Sequence, residues 1–167
     1  NLNIAGSYNT AIGRGALLRN TASNNTAIGK ESLGFNTSGT QNTAVGVQSL
    51  YSNTSGSYNI AMGHGSLASN TTAFYNIAIG IEALNKNKTG SNNVSIGDGS
   101  LYTNILGNNN TAVGNQTLSA NLASNNVAIG FEALENNTSG EYNTAIGSSV
   151  LQSNTTGGNN VALGQST

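Results

Sequence analysis

A short alternation of polar and apolar positions, N-T-A-I-G, returns along the chain at an almost fixed interval, and residues 9–13, 25–29 and 143–147 carry it letter for letter. Inside each copy a threonine or β-branched residue, a small residue and an aliphatic follow one another, the period-two pattern of a short strand. With the closing glycine as marker, the copies end at Gly13, Gly29, Gly46, Gly63, Gly80, Gly97, Gly114, Gly130, Gly147 and Gly164, and Ser95 is the one replacement of the alanine. Seven of the nine intervals are seventeen residues and two are sixteen. Both short intervals lie over a turn with one residue fewer, at residues 20–24 and 121–125. A period held through such deletions is the signature of a repeat architecture, in which no unit buries its apolar side alone and stacked neighbours do so together.

Numbered from its first asparagine, the repeat has seventeen slots, with Asn in slot one, Gly in slot five, Leu in slot nine, Asn in slot twelve and, in most copies, Gly in slot fifteen. The pattern predicts two short strands and two turns per coil, with coils stacked in register about 4.8 Å apart. The aliphatic of slot four and the leucine of slot nine are the expected core, represented by Ile12, Leu17, Ile28, Leu33, Val45, Leu50, Ile79, Leu84, Ile129 and Leu134. The slot-one residues Asn9, Asn25, Asn42, Asn59, Asn76, Asn93, Asn110, Asn126, Asn143 and Asn160 are expected to stack as an amide ladder, with a second ladder at slot twelve. Ala11, Ala27, Ala44 and their equivalents fall on the other side of the strand from slot four, a small apolar stripe through which a second chain is expected to approach closely. All eleven charged residues fall in slots six, seven, ten, eleven, thirteen or sixteen, which marks those as the wet edges.

Composition narrows the chemistry. Of 167 residues, 30 are Asn and 22 Gly, a bias that without the period would read as a disordered polar tract. Five Lys and Arg stand against six Asp and Glu, for a net charge of -1, so nothing draws the chain to nucleic acid or to an anionic membrane surface. There is no cysteine, which excludes disulfides, zinc-finger spacing and thiol catalysis. No apolar run is long enough to insert into a bilayer. The first residue is Asn1, and the repeat starts and stops within a copy, so the sequence reads as one repeat domain over residues 1–167, a fragment of a longer fibre.

The unit at residues 42–58, "NTAVGVQSLYSNTSGSY", and the shorter stretch "NTAIGxxSL" resemble the YadA-like head repeat of trimeric autotransporter adhesins, and more closely the seventeen-residue repeats of phage and bacterial tail-fibre-like proteins. The resemblance spans essentially the whole chain. It implies a left-handed parallel β-roll, three chains side by side, in an extended extracellular fibre on a cell surface or a virion, and it carries over no catalytic residue and no cofactor. Two features depart from the adhesins: their heads use a shorter repeat, and these 167 residues show neither the heptads of a coiled-coil stalk nor the strands of a membrane barrel.

No catalytic constellation is legible. His64 is the only histidine and shares its turn slot with Arg14, Lys30 and Asp98, a solvated position. The stretches "GRGALL" and "GDGSLY" lack the third glycine and the helix of a dinucleotide loop, and Asp98 is alone where a calcium-binding repeat needs a regular aspartate. Ile12 and Leu17 are five apart, against the every-sixth aliphatic of the acyltransferase β-helix. Sequons such as that at Asn53 follow from the repeat itself. The candidate ligand contacts are aromatic: Tyr8, Tyr58, Tyr75 and Tyr142 in slot seventeen, and Tyr51 and Tyr102 in slot ten, two rows able to stack on sugars. The expectation is a non-enzymatic, homotrimeric, all-β solenoid without cofactors, a rigid spacer and adhesive surface towards a host glycan or matrix protein. Its alternatives are an ice-binding solenoid and a filament assembled end to end.

Overall fold

A computed structural model describes residues 6–166. Ten three-residue strands follow one another: β1 (Thr10–Ile12), β2 (Thr26–Ile28), β3 (Thr43–Val45), β4 (Ile60–Met62), β5 (Ile77–Ile79), β6 (Val94–Ile96), β7 (Thr111–Val113), β8 (Val127–Ile129), β9 (Thr144–Ile146) and β10 (Val161–Leu163). They form one parallel sheet in sequence order, so each strand pairs with the equivalent strand of the next coil. The register is exact, with Ala44 opposite Ala61 and Ala61 opposite Ala78. The chain is therefore a parallel β-solenoid of about seventeen residues per coil.

Only one strand forms in each coil, where the repeat predicts two. The second half remains a succession of turns because slots seven and nine take left-handed backbone, as at Glu82 (φ 53) and Leu84 (φ 52). An extended strand cannot pass through those angles. The turns nevertheless hydrogen-bond from coil to coil: Leu84 N donates to Ser100 O at 2.9 Å and Thr54 N to Thr71 O at 2.9 Å. Slot five shows why it admits only glycine. Gly63 has φ 131, and a Cβ there would collide with the carbonyl oxygen of Gly80 on the next coil.

The inside and outside of the strand are reversed relative to the sequence expectation. Slot three is interior, and Ala27, Ala44, Ala61, Ala78, Ala112, Ala128 and Ala145 are fully buried against the leucine column in one cluster. Of the ten residues expected in the core, Leu17, Leu33, Leu50, Leu84 and Leu134 are there. Ile12, Ile28, Val45, Ile79 and Ile129 are not: they face outward, Ile28 and Val45 half-buried, Ile79 and Ile129 at 36% and 39% exposure. The cause is steric. The buried leucines occupy the space across the narrow coil, leaving room for a methyl group opposite them, and strand alternation then turns the larger aliphatics out. An alanine stripe open to a second chain is thereby excluded. Ser95, the one polar residue in this column, is buried and bonds the Ser100 carbonyl at 2.8 Å and its hydroxyl at 2.5 Å.

The rest of the interior is amide. At slot one, Asn59 Nδ2 donates to Asn42 Oδ1 at 3.1 Å and Asn76 Nδ2 to Asn59 Oδ1 at 3.3 Å. At slot twelve, Asn53 Nδ2 donates to Asn36 Oδ1 and Asn70 Nδ2 to Asn53 Oδ1, both at 2.8 Å. The columns are tied together, since the slot-fifteen carbonyl of Gly56 accepts from Asn42 at 2.8 Å and from Asn53 at 2.9 Å. One rung is missing. The coil of β7 is a residue short, and Asn121 Nδ2 turns to Ala123 O at 2.8 Å, which leaves the buried Asn104 Oδ1 without a partner. At the same junction Ile105 and Leu122 replace the slot-thirteen threonines that elsewhere bond the next coil, as Thr54 Oγ1 does to Thr71 O at 3.0 Å. Lys88 N donates to Ile105 O at 3.0 Å, but no equivalent bond runs from Ile105 to Leu122.

Candidate functional site

Two surface features stand out from the repeated exterior. The first is the outer face of the sheet. Slots two and four project from it in register: Thr43 and Val45, then Ile60 and Met62, then Ile77 and Ile79, then Val94 and Ile96. At about 4.8 Å per strand the two columns run roughly 43 Å. None of the twenty positions is charged. Slot six borders the face with a mixture of charge and apolar bulk, where Lys30, His64 and Asp98 alternate with the exposed Val47, Ile81 and Phe131.

The second surface is aromatic. Tyr58 and Tyr75 occupy the same slot on successive coils and stack, with ring centroids 4.9 Å apart and planes 25° from parallel. Phe74 meets Tyr75 edge-on at 5.5 Å and 87°. With Ser55 and Ser57 these rings line a surface cleft of about 300 Å³. Phe74 was not distinguishable as a site residue by its slot alone. The signal was there in the "FY" pair standing one repeat after Tyr58.

The other tyrosines do not extend a row. Tyr8 and Tyr142 share the slot and are exposed, but they lie on coils remote from the pair. Tyr51 packs edge-on against Phe35 at 4.8 Å, with Arg19 over the opposite partner's ring at 4.3 Å from the Phe35 centroid. Tyr102 is half-buried beneath Lys86, whose Nζ lies 4.7 Å from the ring centroid. These two rings shield turn edges of neighbouring coils, and the structure brings together only Tyr58 and Tyr75 of the six.

A larger cavity of about 500 Å³ lies beside the last coils, lined by Ser149, Leu151, Gln152, Ser153, Asn154 and Ser166. Gln152 there donates to Glu132 and Glu135, both at 2.8 Å, and so closes a surface polar cluster. Among the described residues no group of three or more His, Cys, Asp or Glu is placed to hold a metal ion. No described helix is long and apolar enough to cross a membrane. His64 is exposed in its turn.

No family model, no curated protein and no solved structure matches this chain. The two surfaces themselves are what bears on function.

Proposed function

We propose that the chain is a non-enzymatic segment of an extracellular fibre, a left-handed β-roll of which three copies associate side by side, serving as a rigid spacer with an adhesive surface on a cell or a virion. The observation that carries this reading is the charge-free outer face of the sheet. Its slot-four column is aliphatic or methionine across all ten strands, the slot-two column beside it is threonine, isoleucine or valine, and charged residues stand only at the border, the anatomy of an interface with a dry centre and a wet rim. A second copy of the same chain fits it best, because an unbroken, regularly spaced face is matched in length only by another face of the same period. This replaces the alanine column as the shared surface. Each solenoid supplies the stiffness, since backbone turns and both amide columns bond from coil to coil along its length, with one rung missing between β6 and β7.

Sedimentation equilibrium tests the association. The intact chain is expected to sediment as a trimer, and Ile79→Asp with Ile129→Asp to sediment as a monomer with an unchanged far-ultraviolet circular dichroism spectrum. A wild-type chain that stays monomeric at high concentration overturns the reading.

One observation favours a second reading. Thr10, Thr26, Thr43, Thr111 and Thr144 occupy the outward slot-two column, so a threonine array of the kind that orders ice stands on the exposed face. Ile60, Ile77, Val94, Val127 and Val161 interrupt it. Thermal hysteresis from a monomeric wild type would put this reading first.

A further inference from the structure

We infer that the cleft between Tyr58, Phe74 and Tyr75 is a binding site for a neutral sugar, with one pyranose ring seated on the aromatic faces and its hydroxyls bonded to Ser55 and Ser57. The inference gives a place and a ligand class to the adhesive half of the function proposed above, and it does not depend on the association of chains.

Size and chemistry define the occupant. A cavity of about 300 Å³ is at the small end of the range for small-molecule sites and holds one or two rings. Its lining is three aromatic rings and two serines, with no charged side chain. An anionic or cationic ligand would find no counter-charge there. A pyranose offers what the lining needs, an apolar C–H face for an aromatic ring and hydroxyls at its rim.

Three further observations distinguish this cluster from turn packing. The rings stack on each other yet stay open, with Tyr58, Phe74 and Tyr75 at 45%, 47% and 53% exposure. Burial in this chain is therefore not what holds them. The turn also does not select these rings: the left-handed backbone of Tyr58 (φ 60) and Tyr75 (φ 59) is common to the whole slot, which carries Asn24, Gln41, Asn92, Asn109, Asn125 and Asn159 in other coils and tyrosine again at Tyr8 and Tyr142. Asparagine tolerates those angles better than tyrosine, so the rings are not there for the sake of the turn. Finally, the base is fixed before any ligand arrives. Tyr58 N donates to Thr40 O at 3.1 Å, Tyr75 N to Ser57 O at 3.3 Å and Phe74 N to Ser91 Oγ at 3.2 Å. Ser57 Oγ accepts from Thr40 N at 3.0 Å and its hydroxyl donates to Ser55 O at 3.4 Å, so it meets a sugar hydroxyl as an acceptor.

The test is titration of the intact chain with methyl β-D-galactopyranoside, methyl α-D-mannopyranoside and N-acetylglucosamine, read by protein-detected nuclear magnetic resonance and by tyrosine fluorescence, which no tryptophan obscures. At least one sugar is expected to bind in the millimolar range and to shift the resonances of Tyr58, Phe74 and Tyr75. Tyr58→Asn with Tyr75→Asn, residues this slot accepts in other coils, is expected to weaken that sugar about tenfold or more while leaving the circular dichroism melt intact. Tyr142→Asn is expected to leave affinity unchanged. Absence of binding by all three sugars up to about 50 mM overturns the inference. So does equal affinity in the double variant, or capture of a proline-rich peptide where no sugar binds. Sedimentation of the same samples separates the two readings, since a monomer that binds sugar removes the trimer and keeps the cleft.

Discussion

Asn70 and Asn104 occupy the same slot on different coils, yet truncating them is expected to cost very different amounts. Asn70 Nδ2 donates to Asn53 Oδ1 at 2.8 Å and to Ala73 O at 3.3 Å, and its Oδ1 accepts from Asn87 Nδ2 at 3.1 Å. In Asn70→Ala, Ala73 O keeps Asn59 at 2.9 Å and Asn87 keeps Gly90 O at 2.9 Å, but the buried Asn53 Oδ1 is orphaned. An orphaned buried acceptor costs about 1–3 kcal/mol, and the two other lost bonds about 1 kcal/mol each, so the total is roughly 3–5 kcal/mol. Asn104→Ala likewise orphans one acceptor, Asn87 Oδ1, which it now bonds at 3.2 Å. It also removes an acceptor that is buried and already unpartnered, which returns a similar amount. The net is about 1 kcal/mol, and the two variants should differ by about 2–4 kcal/mol, a thirtyfold or greater difference in folding equilibrium. Urea unfolding followed by circular dichroism, at one protein concentration and with equal slopes, measures that difference. Equal stabilities within about 0.5 kcal/mol would refute the reasoning and would mean that a buried water satisfies Asn104.

Gly63→Ala is expected to destabilise by more than about 3 kcal/mol, because the added methyl group strikes the next coil's backbone, whereas Gly65→Ala, in a slot where Glu31, Gln48 and Glu82 take the same left-handed angles, should cost at most about 1 kcal/mol; urea midpoints distinguish them. Leu84→Ala opens a cavity in the filled interior and should cost about 2–5 kcal/mol, while Ile79→Ala, measured at a dilution where chains are separate, should cost less than about 1.5 kcal/mol. Comparable losses would return Ile79 to the core. Tyr142→Asn relieves left-handed strain at an exposed ring and should raise the thermal midpoint, a gain of up to about 1 kcal/mol; a lower midpoint would mean that the ring packs on its neighbours.

The period, the glycine corners and the columns of Leu84 and Asn70 are legible because identical residues at identical intervals must meet identical surroundings. Which side of the strand faces in is not legible from the same pattern. Alternation divides Ala78 from Ile77 and Ile79 but does not orient them, and ranking by hydrophobicity puts the isoleucine inside. What decides is the width of the coil, which a linear reading does not contain: the leucine of slot nine fills it, so the smaller side chain turns inward. The second strand of the pattern fails to form for a related reason. Its spacing suits an extended segment, but Leu84 and Glu82 take left-handed angles that neither residue type advertises, and the stacked neighbours impose them. The contact between Tyr58 and Tyr75 follows from their seventeen-residue separation, while Phe74 joins them through an edge-on geometry that only coordinates reveal.

The single residue missing from the coil of β7 has a mechanical consequence. A rod pulled along its axis carries the same load through every junction and yields where its ties are fewest. Between β6 and β7 one amide rung and the slot-thirteen backbone bond are absent. The same junction is tied elsewhere, by Thr103 Oγ1 to Ser119 O at 2.7 Å and Asn109 Nδ2 to Asn125 Oδ1 at 3.2 Å. In a stack where each coil touches only its neighbours, the load there passes through the backbone ladder and these edge bonds instead of the central amide column. A deletion that the period absorbs without losing phase thus moves the line of force from the axis of the rod towards its rim.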